Sequence, residues 1–167
     1  MSHDGIVCHV MEDKGKEILN VLDGPLAGTF EHALDPRKRI TIPSVWREVM
    51  GGPAYVYVMP DPNETCLALL PPVVLQPRLE RLRQQSLFDE ALSEALAEFF
   101  GQAEYLAVDV QGRIRIGDAL LGDAQIDTGV VLRGLGTRIQ VWSTKLCPPR
   151  GGVNREALAQ ARRALGF

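Results

Sequence analysis

The feature that most constrains this chain is a repeated decapeptide. Ala33-Leu34-Asp35-Pro36-Arg37-Lys38-Arg39-Ile40-Thr41-Ile42 aligns with Ala107-Val108-Asp109-Val110-Gln111-Gly112-Arg113-Ile114-Arg115-Ile116, identical at five of ten positions and 74 residues apart. The chain after each copy also repeats: a short helical stretch, a strand, a turn and another strand. After the first copy, Ser44 is placed to cap a helix over residues 45–50. Gly51-Gly52-Pro53 stops that helix. A β-rich run over residues 55–59, a turn cluster at 60–63 and a return strand over 66–70 come next, closed by Pro71-Pro72. After the second copy, Asp118 is placed to cap a turn of helix over residues 119–121, ended by Gly122. A strand over residues 129–133, a Gly134-Leu135-Gly136 turn and an alternating, half-buried strand over 138–142 come next, closed by Pro148-Pro149.

Between the copies the pattern is helical. Leu75, Leu79 and Leu82 recur at helical spacing, with Pro77 tolerable in a first turn. Ser86 with Asp89 resembles a capping box. Phe88, Leu92, Ala95, Leu96 and Phe99 form an apolar stripe, read as core, and Gly101 ends the helix. Residues 1–27 are an acidic N-terminal extension, expected to be partly mobile. Residues 148–167 are a basic tail ending in a helix capped by Asn154. Leu158, Ala161 and Leu165 share one of its faces, and Arg155, Arg162 and Arg163 decorate the others. A helix this short is marginal alone, so it needs a surface to pack on.

Composition narrows the class. A chain of 167 residues with 46% hydrophobic and 23% charged residues fits one globular domain, or two small subdomains on one core. The longest apolar stretch, residues 67–75, is broken by Pro71 and Pro72 and is too short to span a bilayer. The N-terminus has no secretory pattern. Cys8, Cys66 and Cys147 are scattered and form no CxxC pair, which points to a reducing cytosol. A formal net charge of −3 argues against nucleic-acid binding unless cations are locally concentrated.

Catalytic signatures are missing: no GxSxG, HExxH, Walker A or strand-borne GxGxxG motif occurs. The chain is expected to be no enzyme and to need no cofactor or metal. His3, Cys8 and His9 read as part of a polar terminus rather than a metal site. His32 reads as structural, in a strand near the first loop. Asp89 and Glu90 read as first-turn helix residues, and Glu94 and Glu98 as a solvated face.

Asp35 and Asp109 differ, because they occupy the same place in the repeat. An Asp entering a tight turn accepts bonds from turn N–H groups and orients the Arg four residues on. These two are expected to shape their loops. The first loop carries Arg37, Lys38 and Arg39. The second carries Arg113 and Arg115 on one strand face. Cations on a tight hairpin suit a DNA groove, with affinity from phosphates and bidentate Arg–guanine contacts. The competing interpretation, a solvated basic turn, loses ground because two copies occur in register.

The stretch from Gly28 through Asp35 to Arg39-Ile40-Thr41-Ile42-Pro43 resembles the opening of MraZ proteins. So do Phe99-Phe100…Ala103, Asp109-Val110-Gln111-Gly112-Arg113-Ile114 and Gln140-Val141-Trp142-Ser143. The resemblance spans roughly residues 26–147, and the order and spacing of its pieces are what make it specific. It implies an α+β, mainly β fold. Two tandem SpoVT-AbrB type repeats, over residues 28–72 and 102–147, would form a pseudo-symmetric swapped-hairpin barrel, with a helical insert over 73–101. It implies a bacterial transcription regulator, a repressor in the leading interpretation. The protein would form a homo-oligomeric ring on double-stranded DNA, at promoter direct repeats of division and cell-wall genes. The compartment would be the nucleoid-associated cytoplasm. No membrane or small-molecule partner is implied. Carried residue by residue, it points to Arg39 and Arg113 as DNA contacts. The family pattern favours Gly before the motif Arg, as at Gly112; Lys38 stands there in the first copy. A position needing positive φ suits Lys poorly, which predicts a first loop of different shape with an added charge. Pro43 is replaced by Gly117 in the second copy. The basic tail is expected to dock on a neighbouring subunit or to extend the DNA face. Other interpretations are an AbrB-like antitoxin, an oligomeric scaffold without DNA binding and, weakest, an enzyme.

Overall fold

The computed structural model describes residues 22–83, 89–149 and 151–167. The first half runs β1 (Thr29–Ala33), β2 (Arg39–Thr41), α1 (Ser44–Val49), β3 (Tyr55–Pro60) and β4 (Leu67–Leu70). Two helices come next, α2 (Pro72–Arg83) and α3 (Glu90–Gly101). The second half runs β5 (Glu104–Ala107), β6 (Arg113–Arg115), α4 (Asp118–Asp123), β7 (Gly129–Gly134) and β8 (Ile139–Ser143), and α5 (Arg155–Leu165) ends the chain. The fold is α+β and mainly β. No described helix is long and apolar enough to cross a membrane.

Six strands form one antiparallel sheet in the order β1-β7-β8-β4-β3-β5. Exchanging β1, β3 and β4 for β5, β7 and β8 reverses that order without changing it. Among the described residues, the two remaining strands, β2 and β6, pair only with each other. The six described strands are therefore an open sheet rather than the closed barrel expected from the sequence: β1 and β5 are its edges and do not pair. The β2–β6 ribbon packs beside both edges, so apolar side chains close the gap where a barrel would use a ladder.

Those side chains come from the repeat. Each copy ends in Ile-x-Ile, and Ile40, Ile42, Ile114 and Ile116 are all within 1% of complete burial. They meet Trp46, Val56, Leu67, Leu132 and Val141 in one core cluster. Trp46 is held by an edge-to-face contact with Phe30 at 4.9 Å. Its Nε1 also donates to the Ala27 carbonyl at 2.8 Å, so the large indole is buried without an orphaned N–H. A second small cluster joins Cys66, Val131 and Trp142, with Cys147 against it. Burial, with Asp61 and Glu64 nearby, pushes the Cys66 thiol up to about 12, which keeps it an uncharged core residue.

Several local expectations need correction. Strand β8 is not half-buried but buried throughout, because β7 and β4 flank it. Its polar alternate, Gln140, is satisfied by the Trp142 Nε1 at 3.0 Å. Pro43, not Ser44, is the N-cap of α1, and Gly117, not Asp118, that of α4. The missing α4 cap is supplied across the fold: the Gly117 N–H donates to Glu104 at 2.9 Å, a carboxylate at a helix N-terminus. Helix α2 begins at Pro72, so Pro77 lies inside it rather than in its first turn. Asp89, not Ser86, caps α3, accepting from the Leu92 N–H at 3.0 Å; Ser86 and Phe88 lie outside the described residues. The α3 stripe is not core, since α3 contributes no buried residue.

Candidate nucleic-acid interface

The two Asp-x-x-x-Arg loops are built alike, bond for bond. In the first, Asp35 Oδ1 accepts from the Arg37 and Arg39 N–H groups at 2.8 and 2.9 Å, and Oδ2 accepts from Arg39 Nε at 2.6 Å. In the second, Asp109 Oδ1 accepts from the Gln111 and Arg113 N–H groups at 2.9 Å each, and Oδ2 from Arg113 Nε at 2.7 Å. The main chain matches as well. Lys38 and Gly112 donate to the Asp35 and Asp109 carbonyls at 2.9 and 2.8 Å. Partial burial raises the Asp35 pKa, but the bonds from Arg39 and Arg37 outweigh it and leave the group below the ordinary value of 3.8. At Asp109 the Arg113 N–H bond leads, and the pKa is again lowered. Both Asp side chains are therefore acceptors only at neutral pH.

The position before the motif Arg does need positive φ: it is +77° at Gly112 and +59° at Lys38. The expectation of a differently shaped first loop is thus overturned. Lys38 adopts the left-handed conformation because Asp35 clamps the loop at both ends, at a cost of about 1–2 kcal/mol. A Cβ at Gly112 would also lie 2.3 Å from Arg47 Nε, so the Arg47 side chain would have to move aside.

The β2–β6 register decides where the cations go. Arg39 lies opposite Arg115, Ile40 opposite Ile114, and Thr41 opposite Arg113. Side chains alternate along a strand and directly opposed residues share a face. The two isoleucines therefore point into the core, and Arg39, Thr41, Arg113 and Arg115 share the outward face. Arg39 and Arg113 are diagonal neighbours, roughly 7–8 Å apart by strand geometry. They retain 24% and 29% side-chain exposure.

At the Arg39 end, Arg37, Lys38, Arg39 and Arg115 surround a shallow basin of about 390 Å³ together with Asp118. Lys38 pairs with the Asp118 carboxylate, and that bond, aided by the field of Arg115, lowers the Asp118 pKa. Arg37 and Arg115 have no ion-pair partner among the described residues. Like charges directly opposed across a ladder repel, and a bound anion relieves that repulsion. Arg113 sits at the other end of the ribbon; Arg47 lies against the preceding Gly112, and its Nε donates to the Ile42 carbonyl at 3.1 Å. The structure thus brings all five candidate cations onto one ribbon and its loop. Arg47 and Asp118 were not found from sequence. Each meets the loop of the opposite copy, 80 residues away for Lys38 and Asp118, and no local spacing encodes that.

His32 lies in β1, and its Nε2 is buried without a partner among the described residues. Among the described residues, no group of three or more potential metal ligands occurs; His3, Cys8 and His9 lie outside those residues.

Known proteins resemble this chain. A family model described as "MraZ protein, putative antitoxin-like" matches residues 99–146. A relative from Syntrophomonas wolfei subsp. wolfei, named transcriptional regulator MraZ, is 34% identical over 118 residues, which is 71% of this chain and 80% of the relative. Relatives of the same name from Clostridium tetani and Clostridium acetobutylicum are 30% and 28% identical over 142 residues, covering 84% of this chain and 98% of each relative.

Proposed function

The chain belongs to the MraZ family, and from that premise we propose that it is a transcriptional regulator that binds double-stranded DNA through the outward face of the β2–β6 ribbon. We take its two halves as SpoVT-AbrB type repeats over residues 28–72 and 102–147, around an insert over 73–101. The protein acts as a homo-oligomer on promoter direct repeats, a repressor of division and cell-wall genes in the nucleoid-associated cytoplasm. The observation that carries this reading is the register of Arg39 against Arg115. It gathers cations from both repeats on one surface of a chain whose net charge is −3. Asp35 and Asp109 serve as loop-shaping residues. They fix the Nε side of Arg39 and Arg113, which leaves the opposite edges of those guanidinium groups for phosphate or guanine. Arg37, Lys38 and Arg115 neutralise phosphates and supply the salt-dependent part of affinity. Several subunits presenting such ribbons multiply modest affinities through effective concentration.

Fluorescence anisotropy tests this on DNA from upstream of the protein's own gene and on scrambled DNA, at several salt concentrations. Preference for the upstream DNA, abolished in the Arg39→Ala/Arg113→Ala double variant, is the expected result. Equal binding to both DNAs by the wild type at every salt concentration overturns specific regulation. The antitoxin-like wording of the family model favours a second reading, an AbrB-like antitoxin. That reading requires a stoichiometric toxin partner in pull-downs from the native host.

A further inference from the structure

The two loops share a backbone but not a charge. Residues 35–39 set Arg37, Lys38 and Arg39 against Asp35. In residues 109–113 the charges of Asp109 and Arg113 cancel, because Gln111 and Gly112 stand where Arg37 and Lys38 stand in the first copy. A ribbon that grips phosphates with one loop and carries no net charge in the other would hold DNA at one end only. The structure brings a cation to the second loop from outside it.

That cation is Arg47, on α1. Lys38 and Gly112 have matching backbones, with positive φ at both. Their N–H groups donate to the Asp35 and Asp109 carbonyls at 2.9 and 2.8 Å, and their carbonyls accept from the Ile116 and Ile42 N–H groups at 3.1 and 2.9 Å. A side chain at either position therefore leaves the main chain in the same direction relative to its loop. At Lys38 that space holds the lysine's own stem. At Gly112 it holds Arg47, whose Nε, Cζ and Cδ lie 2.3, 2.5 and 2.7 Å from where a Cβ would be. Arg47 thus stands against the second loop where the Lys38 side chain stands against the first. The exchange is reciprocal. The residue 74 positions after Lys38 is Gly112, and the residue 74 positions after Arg47 is Leu121, which is buried. Each loop receives one such cation, the first from its own chain segment and the second from the opposite copy.

Arg47 is half-buried. Its Nε bond to the Ile42 carbonyl fixes the side chain, while its two terminal nitrogens donate no hydrogen bond among the described residues. It also forms no ion pair among them. Lys38, by contrast, pairs with Asp118, and the residue 74 positions before Asp118 is the uncharged Ser44. A positioned guanidinium with unused N–H groups and no carboxylate is suited to a phosphate. We infer that Arg47 is a DNA-phosphate contact, which completes the second loop as Lys38 completes the first. This inference rests on the proposed DNA-binding function and extends its interface beyond the Asp-x-x-x-Arg motif.

The test uses the full chain and fluorescence anisotropy on upstream and scrambled DNA over a range of salt. A melting curve for each variant fixes a temperature at which all are folded. Arg47→Ala is expected to lower the slope of log affinity against log salt by about 0.9 for each subunit in contact. It should weaken binding to both DNAs by the same factor, because a phosphate contact carries no sequence information. Arg47→Lys keeps the charge while giving up the Nε bond, and should keep the slope. The decisive variant is Arg47→Ala/Gly112→Lys, which builds the first loop's arrangement into the second. The truncation clears the space, and the lysine takes a backbone conformation that Lys38 already holds. It should restore the wild-type slope. A wild type that binds neither DNA overturns both this inference and the function on which it rests. Salt-dependent binding whose slope Arg47→Ala leaves unchanged overturns this inference alone. So does a slope lowered equally in Arg47→Lys, or not restored by Gly112→Lys, since binding would then need the Ile42 bond and not the charge.

Discussion

Lys38 and Gly112 do the same backbone job with different side chains, at φ of +59° and +77°. The left-handed conformation costs a non-glycine residue about 1–2 kcal/mol, so Lys38→Gly is expected to raise stability by about 1 kcal/mol in urea denaturation while removing a cation. Gly112→Ala should do the reverse and lower stability by about 1–2 kcal/mol, because alanine would have to hold the positive φ while Arg47 moves aside. If Lys38→Gly destabilises, the backbone argument for that loop is wrong. The clamping carboxylates set a pH limit as well. Asp35, Asp109 and Asp118 are all held below 3.8. Groups with depressed folded pKa values contribute stability that is present above the unfolded value and disappears as pH falls through the folded one. The amide resonances of Arg37, Arg39, Gln111 and Arg113 should therefore hold position from neutral pH down to about 4 and move together only below it. Movement between pH 5 and 7 would contradict the clamp.

At the scale of elements, the β2–β6 ribbon joins fold to site. Its inward isoleucines belong to the core and its outward arginines to the surface, so damage to one face should reach the other. Ile114→Ala removes a fully buried side chain and is expected to cost about 2–5 kcal/mol, read as a lowered melting temperature. DNA affinity should fall with it at temperatures where most of the chain remains folded, because the Arg39–Arg115 register loosens. Unchanged affinity there would mean that the arginines act independently of the ladder. The repeated Ile-x-Ile shows its meaning only in the fold: Ile40 and Ile42 face inward, so by alternation Arg39 and Thr41 do not. Helix ends were less readable. A capping bond can come from anywhere in space, as Glu104 on β5 shows for α4. The α3 stripe had the right period for a buried face, but period alone does not say whether the covering surface belongs to the same chain.

For the whole molecule, the measurable consequence is the salt dependence of DNA binding. Removing one phosphate-binding cation should lower the slope of log affinity against log salt by about 0.9. Arg115→Ala is expected to show that change and Arg83→Ala none, since Arg83 pairs with Glu80 on α2, outside the ribbon. Equal slopes for wild type and Arg115→Ala would remove Arg115 from the interface. By itself the sequence determined the paired loops, the order of most strands and the family, because each rests on local periodicity, turn chemistry or a repeat within the chain. Only the tertiary structure decided that β2 pairs with β6 and not with the main sheet. The same register opposes Arg39 to Arg115, brings Lys38 to Asp118 and lays Arg47 over Gly112. Those contacts join residues tens of positions apart, and their register is set by which hydrophobic faces must meet in the core.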